Sequence, residues 1–293
     1  MKHQRKTLIL KAINKLPDKL GYLIYHFLQK KSFKSIELNI ISNKNSIEKI
    51  KSILTKKNIE IKNKNIIEIG SGWLPIMPFL FKLELKISKI STYDINKHYS
   101  NKRVKLTCQY FKNLKFKTHK CLNIKLPDFI DYYPRTNIIN TNIGNNFNLI
   151  YSRFVLEHVT PNDILEMHKK FYSESRDDIK IIHLISPSDH RAYSDNSLSI
   201  YDFLQYSDND WNKIQTKFDY HNRLRLPEYL DIFNKTGFTV SYIEYDTAEF
   251  NSEKYKKYKK LRIHSDYNKF SEKEILAGSI VVLLEKEISC IKS

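Results

Sequence analysis

The stretch Ile66-Ile67-Glu68-Ile69-Gly70-Ser71-Gly72-Trp73-Leu74-Pro75-Ile76 decides the fold. The chain has 293 residues and only six glycines, and two of those six follow this apolar run directly. Glycine has no Cβ and tolerates positive φ, so a close pair after a buried strand marks a tight turn where backbone approaches a ligand. Residues 66–69 read as the strand and residues 76–85 as a helix, which places both glycines on a strand-to-helix turn.

Outward from this turn the pattern repeats. Residues 90–93 read as a second strand ending on Asp94, residues 147–151 and 179–185 as two more, and residues 163–172 as a helix between those two. A helix over 228–235 stops at Gly237, and strands follow over 239–245 and 280–284. Strands alternating with helices predict an α/β fold, a doubly wound, mostly parallel sheet of Rossmann-like type whose ligands bind beyond the carboxyl ends of the strands. Residues 121–146 read as an irregular, Asn-rich stretch with no clean motif. Ahead of the sheet, residues 1–60 read as a helical extension that caps the main domain, with apolar positions at helical spacing in Leu8, Leu10, Ile13 and Leu16 and again in Leu20, Leu23, Ile24, Phe27 and Leu28, broken at Pro17 and Gly21. The expected organisation is this extension followed by one domain over 61–293, with a substrate-side insertion around 186–226.

Composition narrows the partners. The formal charge is +18, which suits a phosphate-bearing partner, yet only nine of the 50 basic residues are arginine, the residue that reads phosphate and bases bidentately. Lysine rises together with Asn, Ile, Tyr and Phe, all A/T-rich codons, so base composition of the gene accounts for much of the excess. An acidic membrane surface, approached by the basic amphipathic residues 19–34, or a polyanionic substrate are the alternatives. Cys108, Cys121 and Cys290 are odd in number and far apart, with neither a disulfide framework nor a paired metal spacing, so no metal is expected and a reducing cytoplasm fits. Residues 1–10 are basic, but Lys11 and Asn14 interrupt the apolar stretch that a secretory signal needs, and no stretch is long and apolar enough to span a bilayer.

The turn itself discriminates between cofactors. A dinucleotide fingerprint needs a third glycine for close helix packing, and here that position is Pro75. A cofactor without a pyrophosphate still needs the backbone approach at Gly70 and Gly72 and a carboxylate for its ribose. Asp94 stands 24 residues after Gly70 at the end of the second strand and can accept from ribose hydroxyls. S-adenosyl-L-methionine meets this description.

The chain resembles the class I S-adenosylmethionine-dependent methyltransferases over roughly residues 64–285. The resemblance is carried by Glu68-Ile69-Gly70-Ser71-Gly72, by Thr92-Tyr93-Asp94-Ile95-Asn96, and by Asn148-Leu149-Ile150-Tyr151-Ser152 followed by Val155-Leu156-Glu157-His158-Val159. Within that superfamily, residues 69–76 look like a branch met beside sugar and polysaccharide biosynthesis. It departs from the pattern at Leu74, the usual third glycine, and at Asn148, the usual aspartate opening the fourth-strand motif. The resemblance implies that Glu68, Gly70, Ser71 and Gly72 lie along the methionine part of the cofactor, that Asp94 holds the ribose, and that residues after the third strand hold adenine. Asn123 is the candidate there. Ser152 and Arg153, just past the fourth strand, are expected in the cofactor cleft from topology.

Methyl transfer to a hydroxyl needs a base to take its proton, and histidine suits that duty. The candidates are His158, His183, His190 and His221. His158 opens a helix in many family members whatever their substrate, and His183 reads as a core residue of its strand. Asp189-His190, at a strand's carboxyl end, gives an imidazole with a carboxylate beside it for orientation. Residues 198–225 are rich in aromatic and polar groups, among them Tyr201, Phe203, Tyr206, Trp211, Asn222, Arg223 and Arg225. They form either a substrate wall or an insertion with an aromatic core of its own. The sequence therefore leads to a cytoplasmic methyltransferase acting on oxygen of a small molecule or glycan intermediate. The alternatives are RNA methylation and a catalytically idle module held at a membrane surface by residues 1–60.

Overall fold

The computed structural model describes residues 3–31 and 35–287. Met1, Lys2 and Cys290 lie outside them, as does the end of the basic piece over residues 19–34. In chain order the regular elements are α1 (His3–Asn14), α2 (Asp18–Lys31), α3 (Ile36–Lys56), β1 (Asn65–Ile69), α4 (Ile76–Leu85), β2 (Lys89–Asp94), α5 (Asn101–Tyr110), β3 (Thr118–Cys121), β4 (Ile124–Pro127), β5 (Ile130–Pro134), β6 (Leu149–Arg153), α6 (Pro161–Glu174), β7 (Lys180–Ile185), α7 (Asp208–Ile214), α8 (Leu226–Lys235), β8 (Phe238–Glu244), α9 (Glu253–Lys259), α10 (Glu272–Leu276) and β9 (Ile280–Lys286).

Seven strands form one sheet in the order β5-β2-β1-β6-β7-β9-β8, and β3-β4 is a separate antiparallel hairpin. The strands β5, β2, β1, β6 and β7 pair in parallel, while β9 runs antiparallel to both its neighbours. The strand order reverses between β1 and β6, so a crevice opens beyond their carboxyl ends. β1 is central, buried on both faces, and for that reason reads as an unbroken apolar run. Because successive side chains alternate, Ile66 packs on one face with α3 and α4, and Ile67 and Ile69 pack on the other with α6 and α8. Helix α4 fits its layer because nearly its whole first half is apolar, Ile76 to Phe81 all being buried.

One expectation changes. The third strand of the sheet, β5, lies inside the stretch read as irregular. It is an edge strand whose sequence, Ile-Asp-Tyr-Tyr-Pro, has no apolar run. α3 is part of the outer helical layer against α4, and α1 through Leu10 and Ile13, with α2 through Ile24 and Tyr25, packs on Phe218 of the insertion. The aromatics Tyr201, Phe203 and Trp211 are buried with Tyr258, Tyr267, Ile275 and Leu276, so they form an aromatic core that the insertion shares with α9 and α10 and not an exposed wall. Arg225, fully buried, ties the two ends of that insertion together and to α10 by donating to the carbonyls of Arg223, Pro187 and Ile275. No described helix is long and apolar enough to cross a membrane.

Candidate active site

The strand-to-helix turn has two glycines with different duties. Gly70 has φ +83, and a Cβ there would stand 2.4 Å from Cγ2 of Val155. Its glycine is required by the packing of the segment after β6. That segment is aimed at Gly70 through Phe154, a non-glycine residue held at φ +56. Gly72 has φ +57 and nothing within 4 Å of the position a Cβ would take, so its backbone faces open space at the crevice. Ser71, between them, donates from both its backbone N and its Oγ to Oδ2 of Asp94, at 2.9 and 3.0 Å. Oδ1 of Asp94 accepts from the Asn96 backbone N at 2.7 Å and has Nε2 of His98 at 3.6 Å.

A carboxylate offers about four lone-pair positions. Ser71 uses both at Oδ2, so the capacity left for an added hydroxyl is at Oδ1. Asp94 thus fits a ribose through one oxygen, and its other oxygen holds the glycine turn in shape. Glu68, in β1 and buried, accepts from Thr92 Oγ1 at 2.9 Å, and burial pushes its carboxyl up to about 8, so it is protonated at neutral pH. The loop after Asp94 is held by Tyr132, whose hydroxyl accepts from the backbone N of His98 and Tyr99, and by Tyr99, whose hydroxyl donates to the Ser71 carbonyl. Trp73 lies tilted against His98 with ring centroids 4.5 Å apart and carries the Arg103 guanidinium 4.3 Å over its ring. His26 of α2 meets both Trp73 and His98 edge-on. Sequence reasoning missed His98, Trp73 and Arg103. The only signal was Trp73's place in the glycine turn.

Two expected cleft residues turn their side chains elsewhere. Ser152 Oγ is bonded to His183 Nδ1 at 2.6 Å, and His183 Nε2 meets His168 Nε2 at 3.0 Å, in a fully buried chain that ends on the Ile164 carbonyl. Ser152 belongs to this core chain because its side chain points into the face covered by α6. Arg153 donates to the Ser46 and Ser42 hydroxyls of α3 at 2.7 and 2.6 Å, since its strand ends beneath that helix. Asn123 sits in the β3-β4 turn, exposed, with its carbonyl accepting from Asn101. The residues that do follow the third sheet strand are Arg135, Thr136 and Asn137, and the Thr136 backbone N donates to the Asp94 carbonyl at 2.9 Å.

At the far side of the crevice, beyond β6 and β7, the expected Asp189-His190 pair does not form. Both Asp189 oxygens accept from the Arg191 side chain, at 2.7 to 3.0 Å, and Oδ1 also caps the Arg191 backbone N. An adjacent guanidinium with two parallel donors wins over an imidazole. His190 faces His158 and His221 instead, with ring centroids at 5.0 and 4.2 Å, and His158 and His221 are 4.4 Å apart. Burial, reinforced by the neighbouring imidazoles, pushes His190 down to about 2 and His221 down to about 3, so both are neutral, and His190 is a weak proton acceptor. Asn222 builds the cluster: its Nδ2 donates to the Leu156 and Val159 carbonyls and its backbone N to the Glu157 carbonyl, which docks the insertion on the turn that bears His158. Glu157 itself is buried, and neither carboxyl oxygen has a hydrogen-bond partner among the described residues. Burial pushes this carboxyl up to about 8.

No family model matches the sequence, and no curated protein matches it in sequence. Among solved structures, the chain is similar to magnesium protoporphyrin IX methyltransferase from Synechocystis PCC 6803, solved with bound SAH, at 8% identity and TM-score 0.51, over 87% of this chain and 88% of that one. A methyltransferase from Methanosarcina mazei, described as SAM-dependent, aligns over 78% of this chain and 94% of its own at 13% identity and TM-score 0.45. A candidate O-methyltransferase from Nostoc punctiforme PCC 73102 aligns over 83% of this chain at 10% identity and TM-score 0.44, and the chain spans 56% of that protein. Identities this low speak for fold alone: with its seven-stranded, mostly parallel sheet, the chain has the Rossmann-like methyltransferase fold, with helices ahead of the sheet.

Proposed function

We propose that the protein is an S-adenosylmethionine-dependent methyltransferase acting on an oxygen of a small molecule or glycan intermediate. The observation that carries this reading is the open backbone at Gly72 beside an Asp94 whose Oδ1 retains acceptor capacity, at the point where the strand order reverses. The cofactor supplies a methyl group on a sulfonium, already activated for displacement. The chain's own residues bind and orient. Asp94 accepts from a ribose hydroxyl, Gly72 permits close approach, and residues 135–137 flank the adenine side, as the resemblance implies. Glu68, protonated and bonded to Thr92, adds no negative charge to the turn. The acceptor end lies at His158, His190 and His221 rather than at an Asp189-His190 dyad.

Calorimetry with S-adenosylhomocysteine, the demethylated product, tests the reading. Wild type binds, and Asp94→Asn, which keeps the shape but removes the charge behind the remaining acceptor, weakens binding at least about tenfold, or about 1.4 kcal/mol. No binding by wild type, or equal binding by the variant, would sink the proposal.

A further inference from the structure

We propose that His158, His190 and His221 form a binding site for one Zn2+ ion. Each imidazole offers one nitrogen, and these three nitrogens lie within 4.8 Å of one another. At Zn–N bonds of about 2.1 Å the nitrogens of a tetrahedral site stand roughly 3.4 Å apart. Closing on the ion is thus a movement of about an ångström. All three residues stand on short turns or loops beyond the sheet.

The tautomers are set for coordination. His158 Nδ1 lies 3.0 Å from the Tyr220 carbonyl and His221 Nδ1 lies 3.1 Å from the Asp219 carbonyl. A carbonyl accepts only, so each Nδ1 carries the proton and donates, and each Nε2 is left with a lone pair for an ion. Outer carbonyl bonds of this kind orient the histidines of metal sites. His221 Nε2 is buried and has no hydrogen-bond partner among the described residues. A buried bare nitrogen is an unmet cost in the metal-free protein, and coordination removes it.

Three histidines leave a fourth tetrahedral position open, the arrangement of zinc sites that bind water or substrate rather than serve structure alone. The cleft beside His190 and His221 is lined by Lys6 and Thr7 of α1 and by Asp189, Arg191 and Asp219. Lys6 and Arg191 oppose a cation, but Arg191 is paired with both Asp189 and Asp202. Among the described residues the cluster is made of imidazoles alone, and a three-imidazole set suits Zn2+ over Mg2+ or Ca2+. The inference deepens the acceptor end of the proposed function, where a Zn2+-bound hydroxyl would lose its proton near neutral pH. Ion binding itself is measurable without any methyl transfer.

The test is a Zn2+ titration of the full chain, free of any polyhistidine tag and stripped with chelator, against a chromophoric competitor. One ion per chain is expected with micromolar affinity or tighter, and His190→Ala and His221→Ala each weaken it at least tenfold. His158→Gln gives the same loss through a turn residue. Should these variants fail to fold, Co2+ in wild type decides: intense ligand-field bands of a tetrahedral nitrogen site support the assignment, and a weak octahedral spectrum overturns it. Absence of saturable binding, or affinity unchanged in the folded variants, also overturns it. S-adenosylhomocysteine calorimetry on the same sample separates the two proposals, because product binding without Zn2+ binding refutes this site alone.

Discussion

Gly70 and Gly72 look alike in sequence, and their substitution separates backbone conformation from packing. Alanine at either position must hold positive φ, which costs roughly 1–2 kcal/mol, offset in part by about 0.4–1 kcal/mol from the stiffer unfolded chain. At Gly72 nothing lies within 4 Å of the new methyl, so Gly72→Ala costs about 1 kcal/mol in all. At Gly70 the methyl meets Val155 Cγ2 at 2.4 Å, more than an ångström inside the ordinary carbon contact of about 3.5–4.0 Å. Relieving overlap of this kind adds typically about 1–3 kcal/mol. Gly70→Ala is therefore expected to cost about 2–4 kcal/mol, read from urea denaturation with the slope of the transition held constant. Val155→Ala in that background removes the offending carbon and restores the overlap part only, leaving about 1 kcal/mol, so the cycle has a favourable coupling of at least about 1 kcal/mol. The order reverses for ligand: Gly72→Ala, with its methyl in the crevice, weakens S-adenosylhomocysteine binding although the protein stays stable. Equal stability losses at the two glycines, or no rescue by Val155→Ala, would refute the division of duties.

Two further outcomes follow from the buried polar groups. Glu157 has its pKa raised from an ordinary 4.5 to about 8 by burial, so the folded protein holds a proton that the unfolded chain releases, and the stability this group allows is lost as pH rises from about 4.5 to 8. Glu157→Gln should gain on wild type steadily from pH 5 to pH 8 in denaturation midpoints, while Glu68, with the same sign, keeps part of the slope; parallel curves for the two proteins would contradict it. Ser152→Ala strips His183 Nδ1 of its buried partner at 2.6 Å and should cost about 1–3 kcal/mol, a loss below about 0.5 kcal/mol showing that the chain to His168 is not structural.

The glycine turn and the aspartate facing it were legible because their parts are local. Residues 66–76 form one strand, one turn and one helix start, and Asp94 ends the neighbouring strand, so hydrophobic patterning and glycine placement suffice to find them. Strand β5 escaped notice because an edge strand with one apolar residue before Asp131-Tyr132-Tyr133 lacks the pattern that burial on two faces imposes on β1. Sequence could mark Ser152 and Arg153 as following the fourth strand, but which way each side chain turns depends on α3 and α6, packed on opposite faces.

What the sequence determined by itself is the layered α/β fold and the glycine turn facing Asp94, since both arise from periodicity and from conformations open to few residue types. Tertiary structure alone decided the rest: that Gly70 serves Val155 while Gly72 faces the crevice, that Asp189 pairs with Arg191, and that three histidines from separate loops converge. Residues 158, 190 and 221 share no spacing rule. They meet because Asn222 fastens the insertion to the turn after β6, a contact between segments more than sixty residues apart that no local pattern encodes.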